Sequence, residues 1–124
     1  YAPETLGGAV QEEVLTAAVL SETRNRIGVD LAAIPQLDGM TFKRAQMLAM
    51  DAKPLVQIAY LAEDGTPFDL CIVQVAGADH GVTSTRSHDL AAASWTADGV
   101  GFVLIGGTDA TRVTDLAEGI AARI

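Results

Sequence analysis

The sequence predicts an α+β domain, with an antiparallel sheet of about five strands and an N-terminal and a C-terminal helix packed on it. Asp64-Gly65 and Asp98-Gly99 each lie between runs rich in apolar residues. This arrangement is the strongest short-range signal for a β-hairpin. Both flanks of this strand-rich region carry apolar residues at helical spacing. The 124 residues suit one domain with a real core.

The first element is an amphipathic helix within residues 9–28, after a flexible lead-in at residues 1–8. Gly28 is placed to end this helix in a left-handed conformation. Its apolar stripe consists of Val10, Val14, Leu15, Ala18, Val19 and Ile27. Residues 29–39 contain Pro35 and Gly39 and therefore form no long regular element.

The first half of the sheet follows. Residues 40–50 are predicted as an edge strand, and residues 55–61 and 68–75 as the first hairpin. In the second hairpin strand, period-2 alternation separates two sets of side chains. Phe68, Leu70 and Ile72 face one side, and Asp69, Cys71, Val73 and Val75 face the other.

The second half of the sheet centres on the hairpin at residues 90–107. Residues 76–87, before it, contain two glycines and four hydroxyl residues and are predicted to form a mobile surface loop. Val100, Phe102 and Leu104 alternate with Val103 and Ile105, so this strand is apolar on both faces and belongs at the centre of the sheet.

A final amphipathic helix ends the chain. Thr108 or Asp109 is its predicted N-cap, and its apolar residues repeat at helical spacing. They are Val113, Leu116, Ala117, Ile120, Ala121 and Ile124. If both helices cover one face, the apolar residues of the other face need a cover. Unless residues 29–39 fold across that face, it should pack against a second copy, and we predict a weak homodimer.

Composition excludes several functions. The net charge is −8, from 8 Lys and Arg against 16 Asp and Glu, so nucleic acids and anionic membranes would be repelled. We expect no nucleic-acid binding and no direct membrane contact by this part of the protein. Cys71 is the single cysteine, which rules out an intramolecular disulfide, and no apolar run reaches the roughly 18 residues of a membrane span.

Candidate chemistry is sparse. Asp79-His80 and His88-Asp89 bracket the polar stretch, but their spacing matches no metal motif, and exposed histidines are the simpler interpretation. Cys71 lies among apolar neighbours, which do not favour a thiolate. Without an adjacent nucleophile and base, a metal-ligand set or a cofactor loop, we predict no enzymatic activity, no cofactor and no metal. A weak hypothesis assigns ligand binding to Trp95, His80 and His88.

Three segments carry a family resemblance. They are ASWTADGVGFVLIG at residues 93–106, followed by Asp109 and a Leu/Ala helix; IPQLDGMTF at 34–42; and IAYLAEDG at 58–65. Together they resemble the C-terminal part of predicted bacterial transmembrane transcriptional regulators of the anti-sigma factor family. The resemblance extends from about residue 12 to residue 124.

The resemblance implies an extracytoplasmic, periplasmic sensory domain of a single-pass inner-membrane protein. A cytoplasmic region upstream of Tyr1 would hold a sigma factor, and a membrane helix would follow it. A periplasmic signal protein, ligand or protease would act on the domain and release the sigma factor. The alternative is a stand-alone soluble α+β protein that binds a small molecule between its sheet and a loop.

Overall fold

The computed structural model describes residues 13–28, 39–50 and 53–122. Helix α1 (Glu13–Glu22) continues into a π-helical turn, Thr23–Ile27. Six strands follow and helix α2 (Ala110–Ala121) comes last. The strands are β1 (Met40–Met50), β2 (Lys53–Ala62), β3 (Pro67–Gln74), β4 (His80–Ser87), β5 (Leu90–Ala97) and β6 (Val100–Gly106). The α+β class with two helices is confirmed, with one strand more than expected.

The six strands form one antiparallel sheet in the order β1-β2-β3-β6-β5-β4. Two three-stranded meanders are therefore joined where β3 pairs with β6. The predicted edge position of β1 and the central position of β6 are both confirmed. The Asp98-Gly99 turn has φ values of 51° and 77°, the positive angles that a primed hairpin turn requires.

Strand β4 corrects the sequence analysis, which predicted a mobile loop over residues 76–87. As an edge strand, β4 pairs on one side only, and most of its side chains are exposed, so it needs no apolar alternation. Thr83 and Thr85 favour extended backbone because they are β-branched. The turn into β5 has no glycine: His88 and Asp89 adopt φ values of 51° and 68°.

Both helices pack on the same face of the sheet and share one core with it. Helix α1 and its π-helical turn contact β1 and β2, and α2 contacts β4, β5 and β6. Ala91 and Ala93 are fully buried, and such small side chains allow α2 to approach β5 closely. The largest fully buried side chains include Tyr60, Phe68, Ile58, Leu70, Ile72, Leu104 and Ile120.

The apolar stripe of the first helix was predicted only in part. Ile27 is buried and Val19 packs against the core, as predicted, but Leu15 is 54% exposed and Ala18 is exposed too. The prediction assumed 3.6 residues per turn along the whole helix. The π-helical turn before Ile27 has a different number of residues per turn, so residues on either side of it do not follow one continuous stripe. Gly28 ends the segment at φ 91° and donates its N–H to the Thr23 carbonyl, as predicted.

Helix α2 agrees with its predicted pattern. Asp109 is the N-cap, and its carboxylate accepts hydrogen bonds from the backbone N–H groups of Thr111 and Arg112. Val113, Ala117 and Ile120 are buried, and Leu116 and Ala121 pack against the core. Among the described residues, no helix has the length and apolar character needed to cross a membrane.

Some sequence predictions fall outside the described residues. These are the lead-in at residues 1–8, nearly all of the segment 29–39, and Val10 and Ile124 of the two helical stripes. The Val14 side chain also lies outside the description.

Candidate functional site

The candidate site is a cavity of about 650 Å³ on the sheet face opposite the helices. Gln57, Asp69 and Cys71 line it from the adjacent strands β2 and β3. The β2–β3 turn, residues 64–67, forms one side. His88, Leu90, Ile105 and Gly107 complete the lining. Its volume falls within the range of small-molecule pockets, about 300–1,000 Å³.

Asp69 is the most unusual residue of this cavity. Strand alternation turns it away from Phe68 and Leu70, which face the core. Its two cross-strand neighbours are Ala59 on β2 and Ile105 on β6. The residue is only 2% exposed, and charged groups are rarely buried to this extent without a partner.

Two glutamines support the Asp69 carboxyl from one side. Gln46 Nε2 donates to Gln57 Oε1 at 2.8 Å, and Gln57 Nε2 donates to Asp69 Oδ2 at 2.9 Å. The other carboxyl oxygen, Asp69 Oδ1, is buried and has no hydrogen-bond partner in the described structure. The site therefore has an ordered acceptor with unused capacity.

Burial raises the pKa of Asp69 to about 6, and the hydrogen bond from Gln57 opposes that rise. Desolvation penalises the charged form of a carboxyl group, whereas a donated hydrogen bond stabilises it. Because a pKa of about 6 lies below neutral pH, Asp69 is mostly ionised at pH 7. At neutral pH the cavity thus contains a negative charge on Asp69, to which the neutral Gln57 side chain donates a hydrogen bond.

Cys71 is two residues along the same strand. Burial, and then the charge of Asp69, raise the pKa of its thiol to about 11. It therefore remains a thiol at neutral pH, and a thiol is a poor nucleophile compared with a thiolate. This chemistry agrees with a lining role for Cys71.

A second carboxylate, that of Asp64, lies at the rim of the cavity. A hydrogen bond from the Thr66 backbone is the main cause that lowers the pKa of Asp64, and Arg112 contributes less. Arg112 Nη1 lies 3.2 Å from Asp64 Oδ2. The guanidinium also lies 5.0 Å above the centre of the Phe68 ring, at cation–π distance. This contact joins α2 to the β2–β3 turn.

The three residues named as ligand-binding candidates do not converge. His88 lines the cavity at its exposed rim. His80 is exposed at the other end of β4. Trp95 is 4% exposed and stacks on Phe102 in the core, with ring centres 5.0 Å apart, on the opposite face from the cavity. Only His88 is therefore placed to contact a ligand there.

The residues that sequence reasoning missed are Asp69, Gln57 and Gln46. A signal for them exists: each is a polar residue in a strand otherwise rich in apolar side chains. Their proximity depends on the register of β1 with β2, which a bulge between Phe42 and Arg44 shifts. Among the described residues, no group of three or more potential ligands is arranged to hold a metal ion.

Comparison with known proteins gives a fold relationship. No protein-family model matches the chain, and no curated protein matches it significantly. A chain of the solved complex of Pseudomonas aeruginosa MucA and MucB is similar in structure, with a TM-score of 0.50 and 22% sequence identity. The match covers 68% of this chain and 31% of that one. The matched part of this chain thus spans about a third of the neighbour's length, and the likeness establishes the fold alone.

Proposed function

We propose that this chain is the extracytoplasmic regulatory domain of a membrane-tethered anti-sigma factor. The observation that carries the proposal is the position of the resemblance segments. The segment at residues 58–65 contributes the end of β2 and the turn that follows it, and the segment at residues 93–106 contributes β5 and β6, so the two segments supply three of the four central strands. The segments that resemble the family are therefore the ones around which the domain is built.

The similarity in fold to a chain of the MucA/MucB complex also supports a regulatory role, without specifying where in the cell the domain acts. That chain was solved as part of a complex of two proteins, which is consistent with a regulatory domain that works through a protein partner. A periplasmic signal protein or protease would bind this domain, and a sigma factor would be held by a cytoplasmic region. Burial keeps Cys71, the cysteine of the cavity lining, as a thiol at neutral pH. We accordingly propose a non-enzymatic role.

The test uses the full-length gene product in its native host. Protease added to spheroplasts should cleave an epitope placed after residue 124 while a cytoplasmic control protein remains intact. A reporter driven by the cognate sigma factor should respond to envelope stress. That response should be lost when residues 13–122 are replaced by an unrelated folded domain, with the membrane location unchanged.

The alternative function, a stand-alone small-molecule-binding protein, predicts different results. The full-length protein would then fractionate with soluble proteins, and removing its gene would leave every sigma-dependent reporter unchanged. Either result would overturn the proposed regulatory role.

A further inference from the structure

We propose that the cavity beside Asp69 binds a small organic cation, such as a primary alkylammonium. The charged group contacts Asp69 Oδ1, and the apolar part lies against Ile105, Leu90 and Pro67. This proposal goes beyond the regulatory role and does not depend on it, because it concerns the chemistry of one cavity.

One oxygen of Asp69 is an unused hydrogen-bond acceptor. Asp69 lines the cavity and is only 2% exposed. Gln57 engages Oδ2, and Oδ1 has no hydrogen-bond partner in the described structure. A buried acceptor without a donor is costly, so a ligand that supplies an N–H group there gains a hydrogen bond that the protein alone does not make.

The charge of the cavity lining favours a cation. Among the described residues, the cavity lining contains the carboxylates of Asp64 and Asp69 and contains no Lys or Arg. Arg112 is held at the rim by Asp64, 3.2 Å away, so its charge is already paired. An anionic ligand would be repelled by the Asp69 carboxylate, whereas a cation would form a charge-assisted hydrogen bond with it.

The cavity suits an organic cation better than a metal ion. A divalent metal needs several ligands around one point, and the described residues contain no group of three or more that would provide them. The cavity instead places the unpartnered Oδ1 of Asp69 near apolar side chains. Ile105 and Leu90 are half-buried beside it, and an alkyl chain would cover them.

The acceptor has a fixed orientation. Gln46 holds Gln57, and Gln57 holds Asp69, through hydrogen bonds of 2.8 Å and 2.9 Å. These hydrogen bonds fix the orientation of the carboxyl group, and preorganised groups bind at lower entropic cost.

The experiment titrates the purified chain with three probes that share one alkyl tail. They are hexylammonium chloride, hexan-1-ol and sodium hexanoate, followed by calorimetry and by amide NMR shifts at pH 7.5. We expect hexylammonium to bind at least tenfold more tightly than hexanol, and hexanoate to bind most weakly. Shifts should concentrate on residues 64–71 and 105–107.

Asp69→Asn is the decisive variant because it keeps the shape and removes the charge. It should lose the preference for the ammonium over the alcohol. Asp115→Asn removes the same charge from an exposed site on α2 and should keep the preference. Ile105→Lys places an ammonium on the cross-strand neighbour of Asp69 and should abolish hexylammonium binding, which provides a second test if Asp69→Asn does not fold.

Three results would overturn the proposal. The first is equal affinity for the ammonium and the alcohol, and the second is an ammonium preference that survives Asp69→Asn. The third is the absence of binding by all three probes. None of these results bears on membrane location or sigma-factor control, so the regulatory role is tested separately.

Discussion

At the scale of single residues, Asp69 stands out because an ionisable side chain occupies a buried position in the sheet. Most of this strand follows the expected alternation, and the Asp falls on the face that also carries Cys71 and Val73. A carboxyl group in that position reduces stability unless something compensates its charge. Such local exceptions are expected where a residue serves binding.

The pH dependence of stability follows from the raised pKa of Asp69. Its pKa is about 6 in the folded chain and 3.8 as the reference value, so the folded state holds the proton more tightly. The contribution of Asp69 is therefore most favourable below about pH 4 and is lost as the pH rises through about 6. Between pH 4 and pH 7 we expect this contribution to fall by about 1 to 2 kcal/mol.

The measurement compares the free energy of unfolding of wild type and Asp69→Asn by urea titration at pH 4, 5, 6 and 7. The difference between them should shift by about 1 to 2 kcal/mol in favour of the variant as the pH rises. Asp115→Asn should show no such trend. A difference that is constant with pH would mean that Asp69 has an ordinary pKa in the folded chain.

At the scale of elements, the junction of β3 and β6 holds the two meanders together. Gly106 lies directly opposite Phe68 in this pair. A Cβ added at Gly106 would come within 2.2 Å of the Phe68 ring, closer than any real contact. The missing side chain is therefore what lets the aromatic ring lie across β6.

The prediction for this junction is that Gly106→Ala destabilises the domain by about 1–3 kcal/mol, the usual cost of overpacking. Gly119→Ala is the matched control, because its added Cβ meets nothing within 4 Å. It should stabilise helix α2 by up to about 1 kcal/mol. Thermal unfolding of both variants tests this, and similar melting temperatures would show that Phe68 moves aside easily.

The elements also show what the sequence could predict. The Asp-Gly hairpins, the Gly28 cap and the Asp109 cap were all predictable because each depends on a few adjacent residues. Strand β4 was not, since an exposed edge strand lacks apolar alternation and its turn uses His88 and Asp89 at positive φ. The site was missed for a related reason: the Gln46–Gln57–Asp69 chain spans three strands, and its proximity depends on register.

At the scale of the whole molecule, the helices cover one face of the sheet and leave apolar residues on the other. Leu48, Leu55 and Val73 occupy neighbouring register positions across β1, β2 and β3. Leu48 is 41% exposed, and Leu55 and Val73 are half-buried. This row, which we call the Leu48 row, lies toward the opposite end of these strands from the β2–β3 turn that borders the cavity.

We predict that the Leu48 row contributes to a weak homodimer. Two copies would each bury an area under about 1,000 Å², which suits an interface that dissociates on dilution. Leu48→Glu should weaken association at least tenfold, since two introduced charges would face an apolar surface in each dimer. Leu15→Glu is the control, because Leu15 is 54% exposed on α1, on the other side of the sheet. Sedimentation equilibrium over a concentration series measures both, and a wild-type monomer at every concentration would contradict the prediction.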